Sequence, residues 1–308
     1  MDHPYFPEGS RDKRLLRCPD PPPQPWLVAG HRYLFKESRP VYPDQFWAEI
    51  VASRLGRLTG VPVPPAYAAW DSASGDCAAL IEWFWGYPGG PPQGFVSGGL
   101  FMKALIKDFD YQRGTQHNFS HIQLLCRAFS RARGTSTSSP LLDGDWLLDW
   151  ARMLTFDALI GNTDRHQENW GFVYTRTEAG APRAFALSPA FDNGTSLGHE
   201  RPANQFERFA QAAYRQRYID KGRHHLRWQL HDAERCGHLE LLQKLLQQAP
   251  QCRQTMLSVL RFDPPELERA IMPLCDLALA VPLDAGRARF MMSLLAARQQ
   301  HLLDALRP

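Results

Sequence analysis

One polar segment inside an apolar stretch restricts this chain more than any other feature. Residues 159–170 read Leu-Ile-Gly-Asn-Thr-Asp-Arg-His-Gln-Glu-Asn-Trp, so Asp164 is followed five positions later by Asn169. Apolar runs flank the segment on both sides, and the second of them has the composition of a strand. A further carboxylate, Asp192, lies in the sequence Pro-Ala-Phe-Asp-Asn-Gly at 189–194. The chain must therefore fold so that two polar turns emerge from an apolar framework.

These three oxygen-bearing side chains match the requirements of phosphoryl transfer. A transferring phosphoryl group is surrounded by negative oxygens, so a protein must supply divalent cations and hold the attacking hydroxyl in line. Mg²⁺ prefers hard oxygen ligands, which Asn169 and Asp192 can supply together with phosphate oxygens and water. Asp164 then remains free to accept a hydrogen bond from the substrate hydroxyl. We predict a catalytic loop and a metal loop; the alternative is a surface turn that is rich in Asn and Asp for local reasons.

The same two segments carry a resemblance to a known family. Residues 156–170 and 188–198 together resemble the HipA-like kinases of bacteria. The resemblance implies a fold of class α+β, the two-lobed protein-kinase-like fold, with a small mixed α/β N-lobe and a mainly helical C-lobe. It also implies an ATP- and Mg²⁺-dependent serine/threonine protein kinase, acting as a toxin of a toxin-antitoxin system or as an effector kinase, with autophosphorylation. The Asp-Arg-His-x-x-Asn core at 164–169 is also similar to the catalytic loop of phosphoinositide lipid kinases, so a lipid acceptor stays open.

Composition excludes several other classes of protein. The 308 residues are 44% hydrophobic, which suffices for one or two domains with a sizeable core. A net charge of +3 is too small to indicate a nucleic-acid-binding protein. The six cysteines are scattered without a Cys-x-x-Cys pair, which predicts free thiols in a reducing compartment. No apolar run has the roughly 20 residues of a membrane-spanning helix, and no signal-peptide pattern is visible. We expect a cytoplasmic protein, with secretion by a non-classical signal left open.

The first residues resemble a phosphate-covering loop. Gly9, Ser10 and Lys13 lie in a turn-rich segment where a glycine lets backbone N–H groups approach phosphates. Ser10 is a candidate for autophosphorylation, although a hydroxyl that only shapes the turn is the simpler reading. Some relatives carry an inhibitory serine just ahead of this glycine, where this chain has Tyr-Phe-Pro-Glu at 5–8. Because only eight residues precede Gly9, we expect the short form of the family and hypothesise that a separate small antitoxin-like protein supplies the missing N-terminal subdomain.

The next segments predict an ion pair at the nucleotide. Residues 26–29 and 32–36 read as a hairpin, which places Lys36 at the end of an apolar strand. Residues 45–58 have the spacing of an amphipathic helix that contains Glu49. A strand lysine followed by a helix glutamate is the pair that orients a nucleotide lysine. Without the later loops, a solvated strand end would explain Lys36 equally well.

The middle of the chain predicts the connection between two lobes. The strand at 78–84 matches the place where a kinase chain passes between lobes, and Glu82, Trp83 and Phe84 are positional candidates for adenine contacts. The glycine- and proline-rich segment that follows is the clearest break in composition. We therefore predict an N-lobe at 1–86, a linker at 87–99 and a helical C-lobe at 100–308.

Helical periodicity dominates the C-lobe. Apolar residues recur at three and four spacing in several segments. These predicted helices are 100–109, 119–131, 145–159, 238–248, 253–260, 265–279 and 285–306, and residues 201–218 begin a further helix-rich region. His166 is predicted as structural support for the catalytic loop, and Arg165 pairs either with a carboxylate or with phosphate. His224, His225 and His231 have no acidic or cysteine partner at ligand spacing, which argues against a metal site.

Two other functions stay open at this stage. A lipid kinase would use the same Asp164, Asn169 and Asp192 and would need a membrane-facing surface, of which the helices show no sign. A nucleotide-binding scaffold without turnover is disfavoured by the presence of Lys36 together with those three residues. The leading prediction is a kinase whose acceptor is a serine or threonine of a protein.

Overall fold

The computed structural model describes residues 11–132, 142, 144–176 and 180–307. Within these residues the chain forms two antiparallel sheets and a set of helices that surround one long central helix. The strands are β1 (Lys13–Arg17), β2 (Arg32–Glu37), β3 (Ala66–Trp70), β4 (Cys77–Glu82), β5 (Gln93–Ser97), β6 (Gly171–Arg176) and β7 (Pro182–Leu187). The α-helices are α1 (Phe46–Thr59), α2 (Gly98–Leu105), α3 (Phe119–Arg131), α4 (Trp146–Ile160), α5 (Ala212–Lys221), α6 (His238–Gln248), α7 (Cys252–Val259), α8 (Pro264–Ile271) and α9 (Ala285–Leu306). Two 3₁₀-helices cover Ala203–Ala210 and Met272–Asp276.

The first sheet has the strand order β1-β2-β4-β3 and is antiparallel throughout. Lys36 of β2 pairs with Lys13 on one side and with Ala79 on the other, so it lies near the centre of the sheet. Buried and partly buried residues alternate from Arg32 to Phe35, as expected for a strand with one covered face. Lys36 is buried as well, although it faces the side opposite Tyr33 and Phe35, and a buried ammonium group requires an anionic partner.

Helix α1 supplies that partner and joins the two halves of the molecule. It ends at Gly60, whose φ of +69° lies in the left-handed region that glycine enters without steric cost. Its buried residues include Glu49 as well as large apolar side chains. The other side of α1 packs against α8, and the indole nitrogen of Trp47 donates to the carbonyl oxygen of Val281 at 3.1 Å. The helix of the small lobe is therefore part of the core of the large lobe.

Helix α4 forms the centre of the C-lobe. The side chain of Asp145 accepts hydrogen bonds from Leu147 and Leu148, which caps the helix at its start. The helix packs against α6, α7 and α9, so most of its residues are buried. It ends at Gly161, whose φ is +68°, and the chain then enters the polar segment that begins at Asn162.

The hairpin predicted at 26–36 is wrong in its first strand. Residues 26–29 form turns, and β2 pairs instead with β1, which lies on the other side of the proline-rich segment. Prolines at 19–25 lack N–H donors, so this stretch cannot continue a ladder and becomes a long loop. The loop is closed by the N–H of Cys18, which donates to the carbonyl oxygen of His31 at 2.8 Å.

The segment 87–99 is more than the linker that its composition predicts. Its second half forms β5, which pairs with β6, and α2 begins at Gly98. Glycine at 98 lets Trp170 pack close to the backbone, because a Cβ there would lie 2.1 Å from the indole ring. The glycines at 98 and 99 therefore reflect close packing against the predicted catalytic segment.

Other features agree with the predictions. The two-lobed α+β fold is confirmed, and helices at 119–131, 238–248 and 285–306 have the predicted bounds. All six cysteines are free, and five of them are buried. Across the part of the chain described by the structure, no helix is long and apolar enough to span a bilayer.

Candidate active site

The polar segment after α4 forms a compact loop that closes on itself. The amide of Asn162 binds the carboxylate of Asp157 at 3.3 Å, while its oxygen accepts the N–H of Asp164 at 2.9 Å. The amide nitrogen of Asn169 donates to the carbonyl oxygen of Asp164 at 2.8 Å. This bond uses the nitrogen of Asn169 and leaves its side-chain oxygen free for a cation. The two predicted residues Asp164 and Asn169 are thus joined directly.

Arg165 holds this loop against the metal loop. Its side chain is fully buried, and its guanidinium binds the Asp157 carboxylate through Nε at 3.0 Å and Nη2 at 2.7 Å. Nη1 donates to the carbonyl oxygens of Asn169, at 3.0 Å, and of Phe191. Nη2 also donates to Oδ1 of Asn193 at 2.8 Å. Arg165 therefore pairs with a carboxylate, which answers the question that the sequence leaves open.

Asp157, Arg165 and His224 form what we call the rear cluster. Nε2 of His224 lies 3.2 Å from the Asp157 carboxylate, and the side chains of all three residues are completely buried. Burial acts to raise the pKa of Asp157, but Arg165 and His224 outweigh it and lower that pKa to about 2. The rear cluster is thus a charged, internally satisfied connection between α4 and both loops.

A second group of charges, the front cluster, consists of Arg11, Lys36, Glu49 and Asp192. Nζ of Lys36 lies 2.9 Å from Glu49 and 2.5 Å from Asp192. Nη2 of Arg11 binds the same two carboxylates at 2.7 Å and 3.0 Å. The predicted pair of Lys36 and Glu49 is therefore present, and Asp192 joins it. The sequence analysis missed Arg11 because its partners are 38 and 181 positions away.

The metal loop is attached to helix α1. Asp192 has a φ of +56°, a strained value for a residue other than glycine. The N–H of Asn193 donates to Glu49 at 2.8 Å, and the amide of Gln45 donates to the carbonyl oxygen of Gly194 at 3.2 Å. Glu49 thus orients Lys36 with one oxygen and the metal loop with the other. These bonds hold Asp192 in its unusual conformation.

The two acidic groups of the site have opposite pKa shifts. Burial acts to raise the pKa of Asp192, but Lys36 and Arg11 outweigh it and hold that pKa well below its usual value. The pKa of Asp164 is raised, mainly by burial and further by the negative charge of Asp192. Asp192 therefore stays ionised, as a metal ligand requires. The raised pKa of Asp164 makes its carboxylate a stronger base, as a proton acceptor requires.

The residues present fit a nucleotide with its cation. Nη1 of Arg11 is buried without a hydrogen-bond partner, beside Lys36 and Asp192. Lys13 pairs with Lys36 across β1 and β2 and so adds a third basic residue on this side of the cleft; burial and the charge of Lys36 lower its pKa. Phosphate oxygens would satisfy such donors. No cluster of three or more His, Cys, Asp or Glu is found in the described ranges, so the oxygens of Asn169 and Asp192 would need phosphate and water to complete the coordination of Mg²⁺.

Comparison with known proteins now adds to this geometry. The sequence profile of the HipA-like C-terminal domain matches residues 7–259. The chain belongs to this HipA-like family. A comparison with curated protein sequences found no matching relative.

Solved structures agree with the HipA-like fold. The structure of the proinflammatory kinase CtkA of Helicobacter pylori aligns over 98% of this chain and 91% of its own length, with a TM-score of 0.71 and 15% identity. HipA of Shewanella oneidensis, solved in a complex with HipB and operator DNA, aligns over 99% of this chain and 67% of its own length, with a TM-score of 0.53 and 16% identity. At these identities the likeness shows a shared protein-kinase-like fold.

The connection between the lobes of this HipA-like chain differs in detail from the prediction. The carboxylate of Glu82 is engaged by the hydroxyls of Tyr87, at 2.6 Å, and Tyr33, at 3.3 Å. The backbone of Trp83 is also hydrogen-bonded. Its N–H donates to the carbonyl oxygen of Arg32 at 3.0 Å, and its carbonyl oxygen lies 2.6 Å from Nε2 of His31. These side-chain and backbone groups are therefore not free for adenine.

Among the three residues predicted to contact adenine, Phe84 is the one whose backbone groups are not used by other residues of the described chain. Its N–H and carbonyl groups have no hydrogen-bond partner among the described residues. Its ring stacks on Phe191 of the metal loop at 5.0 Å and meets Phe95 edge to face at 5.4 Å. This group of aromatic rings connects the segment between the lobes to Phe191, the residue before Asp192.

The remaining predicted residues have mixed outcomes. Gly9 and Ser10 lie outside the described residues. Nδ1 of His166 accepts the N–H of Glu168 at 3.2 Å, as expected for a supporting residue. His224 and His225 are buried within the C-lobe, the first against Asp157 and the second 3.2 Å from the ring of His117. Asp157 was missed, although an acidic residue within an apolar helix signals a buried partner.

Proposed function

We propose that this HipA-like protein is an ATP- and Mg²⁺-dependent serine/threonine protein kinase. The observation that carries the proposal is the front cluster, in which Lys36 contacts both Glu49 and Asp192 next to the loop of Asp164 and Asn169. A nucleotide lysine, its helix glutamate, a metal-loop aspartate and a catalytic-loop pair are the parts that phosphoryl transfer needs in one place. Membership of the HipA-like family supports the same reaction.

Each residue then has a defined task. Asp164 accepts a hydrogen bond from the substrate hydroxyl and orients it, which its raised pKa favours. The side-chain oxygens of Asn169 and Asp192 hold the cation, and bound Mg²⁺ would neutralise charge on the phosphates. Lys36 contacts the phosphates while Glu49 keeps it in position. Arg11 and Lys13, which lie in the described part of the predicted phosphate loop, would also contact the phosphates.

We further propose a partner and a compartment. The Shewanella HipA structure contains HipB, which supports a small antitoxin-like protein as a partner for this chain and a toxin or effector role. The acceptor would be a serine or threonine of a protein, including one of this chain. Six unpaired cysteines support residence in the reducing cytoplasm. We place the N-lobe at 1–86, with residues 87–99 leading into the C-lobe.

Intact mass after incubation with Mg-ATP tests the reaction most directly. We expect phosphate to be added to the protein itself or to a mixed Ser/Thr peptide library, with matching ATP consumption. Asp164→Ala should abolish both signals while leaving nucleotide binding intact. Glu268→Gln, an exposed change on α8, serves as the matched loss of a carboxylate and should behave as the wild type.

A second incubation, with labelled Mg-ATP and phosphoinositide vesicles, separates the rival functions. Label that appears in the vesicles and not in protein would identify a lipid kinase. Nucleotide binding without turnover, in the wild type as in Asp164→Ala, would identify a silent scaffold. Either result would overturn the proposed function.

A further inference from the structure

A cavity in the C-lobe lies outside the candidate active site. It has a volume of about 210 Å³, is open to solvent on one side and is lined by the end of α5, the start of α6 and the second half of α9. Its titratable lining residues are Asp220, Arg223, His238, Glu240, Arg298 and His301. The phosphoryl-transfer chemistry described above uses none of these side chains.

Arg298 is a buried cation without an anionic partner. Only 5% of the residue is exposed, and its guanidinium carries five N–H donors. It makes one long hydrogen bond, 3.4 Å to the carbonyl oxygen of Ala158, and its charge lies 5.8 Å from the ring of Tyr218. No carboxylate of the described chain lies within ion-pair distance, and Glu200 acts on it only from further away. Buried charges are normally paired, so the unused donors of Arg298 call for an anion.

His238 adds a second unsatisfied group to the same cavity. It is 7% exposed, and neither ring nitrogen has a hydrogen-bond partner. Burial lowers the pKa of His238 well below its usual value, so the ring is neutral and offers one donor and one acceptor. His238 is also the first residue of α6, where backbone N–H groups lack intrahelical partners and the helix dipole is positive.

The two carboxylates of the cavity do not neutralise Arg298, because they are engaged elsewhere. Asp220 accepts a hydrogen bond from Gln216 at 2.8 Å and lies 3.9 Å from His301. Glu240 accepts from Lys244 at 2.8 Å and from the N–H of Gly237 at 3.0 Å. Glu240 thereby caps the start of α6, so the positive charge on this side of the cavity comes from Arg298, which neither carboxylate contacts.

We propose that this cavity binds a phosphate-type oxyanion, which Arg298 and His238 hold at the N-terminus of α6. A tetrahedral anion accepts several hydrogen bonds at once, and guanidinium groups and helix N-termini are suitable donors for it. The same chemistry fits free inorganic phosphate and the phosphate group of a phosphorylated serine. The volume of the cavity suits a ligand of this size.

The site is connected to the catalytic loop through Gly161. A Cβ placed on Gly161 would lie 2.5 Å from Nη2 of Arg298, so the guanidinium packs directly against the turn that precedes Asp164 by three residues. An anion that fixes Arg298 therefore also fixes the entry to that loop.

Isothermal titration calorimetry on the full chain at constant ionic strength tests the site, with inorganic phosphate and O-phosphoserine titrated separately. We expect one binding event per chain with phosphate. Arg298→Gln should weaken it at least tenfold, and His238→Phe, which keeps the ring shape without the nitrogens, should weaken it several-fold. Arg289→Gln is the matched control, since Arg289 is exposed on the same helix. It should bind phosphate as the wild type does.

A second control separates this site from the nucleotide cleft. Lys36→Met should retain the phosphate binding, and the readout is independent of phosphotransfer, so a failure of the proposed kinase function would not affect it. If Arg298→Gln does not fold, as judged by circular dichroism, His238→Phe decides. Binding of phosphoserine as well as phosphate would extend the site to phosphorylated chains. Absence of phosphate binding in the wild type, or binding that survives both cavity variants, would overturn the proposal.

Discussion

The front and rear clusters contact the same metal loop, yet they differ in how their charges are satisfied. In the rear cluster, every side chain is fully buried, and Arg165 donates to a carboxylate and to the backbone of both loops. In the front cluster, Asp192 is 30% exposed on its side chain and is shared by two cations, one of which has a buried nitrogen without a partner. The rear cluster is complete as it stands, whereas the front cluster has capacity for further ligands.

This difference separates two tasks within one loop. A buried ion pair with all hydrogen bonds made is strongly destabilised when one partner is removed, so it suits a fixed support. A partly exposed anion between two cations can exchange partners at lower cost, as a metal and phosphates require. We therefore expect changes in the front cluster and at Asp164 to affect chemistry, and changes in the rear cluster to affect stability.

The largest effect is expected at Asp164, on activity alone. Asp164→Asn should reduce the phosphotransfer rate roughly 10²–10⁴-fold, because the substrate hydroxyl loses its proton acceptor. Nucleotide affinity and the free energy of unfolding should stay close to the wild-type values. Initial rates of phosphate incorporation, together with urea denaturation, measure both. A large loss of stability would show that the loop of Asp164 belongs with the rear cluster.

Arg165→Met should have the largest effect on stability. It leaves the Asp157 carboxylate buried with one partner fewer, which costs about 3–5 kcal/mol in the free energy of unfolding. Urea denaturation measures the loss. The matched control is Arg152→Met, which removes a half-exposed ion pair with Asp149 and should cost no more than about 1 kcal/mol. Equal losses in the two variants would contradict the distinction between the clusters.

Acid should weaken the rear cluster through Asp157. Its folded-state pKa of about 2 lies below the usual value of about 3.9, so its ionised form contributes stability above pH 4 that is lost as pH falls towards 2. The shift corresponds to roughly 2.5 kcal/mol. Asp157→Asn removes this contribution, so the stability difference between wild type and variant should shrink by about that amount from pH 5 to pH 2. Chemical denaturation at both pH values measures it, and a difference that is independent of pH would refute the assignment.

The smallest expected effect is on nucleotide affinity. Arg11→Gln should weaken ATP binding about tenfold, because the phosphates lose a charged hydrogen-bond donor. Titration with a fluorescent ATP analogue in the presence of Mg²⁺ measures this change. Arg14→Gln, on the adjacent strand with a half-exposed side chain, should leave the affinity unchanged. Unaltered affinity in Arg11→Gln would mean that the arginine only shields Asp192.

Local patterns explain which parts of the fold were predictable. Helices such as α3, α6 and α9 follow from apolar periodicity within a single segment, and their bounds were predicted correctly. Strand partners depend on residues far along the chain, so the pairing of β2 with β1 across a proline-rich loop was missed. Strand β7 was also missed, because five of its six residues are partly buried or exposed in no alternating pattern.

The same limit applies to the site. The spacing of Asp164 and Asn169, followed by Asp192, indicates phosphoryl transfer because kinases place a carboxylate and an amide five positions apart in the catalytic loop and a second carboxylate in the metal loop. The contacts of Arg11 depend on tertiary distances that no local pattern contains. The sequence left two possible partners for Arg165, a carboxylate or the phosphate. Only the fold shows that the carboxylate of Asp157, on the preceding helix, lies within its reach.

The packing of α1 onto α8 has a consequence for control of the proposed kinase. Trp47, two residues from Glu49, is hydrogen-bonded to Val281 in the opposite lobe. An outward movement of Glu49 would therefore require that bond and the contact between α1 and α8 to break. Many signalling enzymes are silenced by such a swing, whereas in this chain the contact between α1 and α8 opposes it. For the proposed kinase, inhibition would therefore act at the nucleotide cleft or on the protein surface and not through an outward movement of α1.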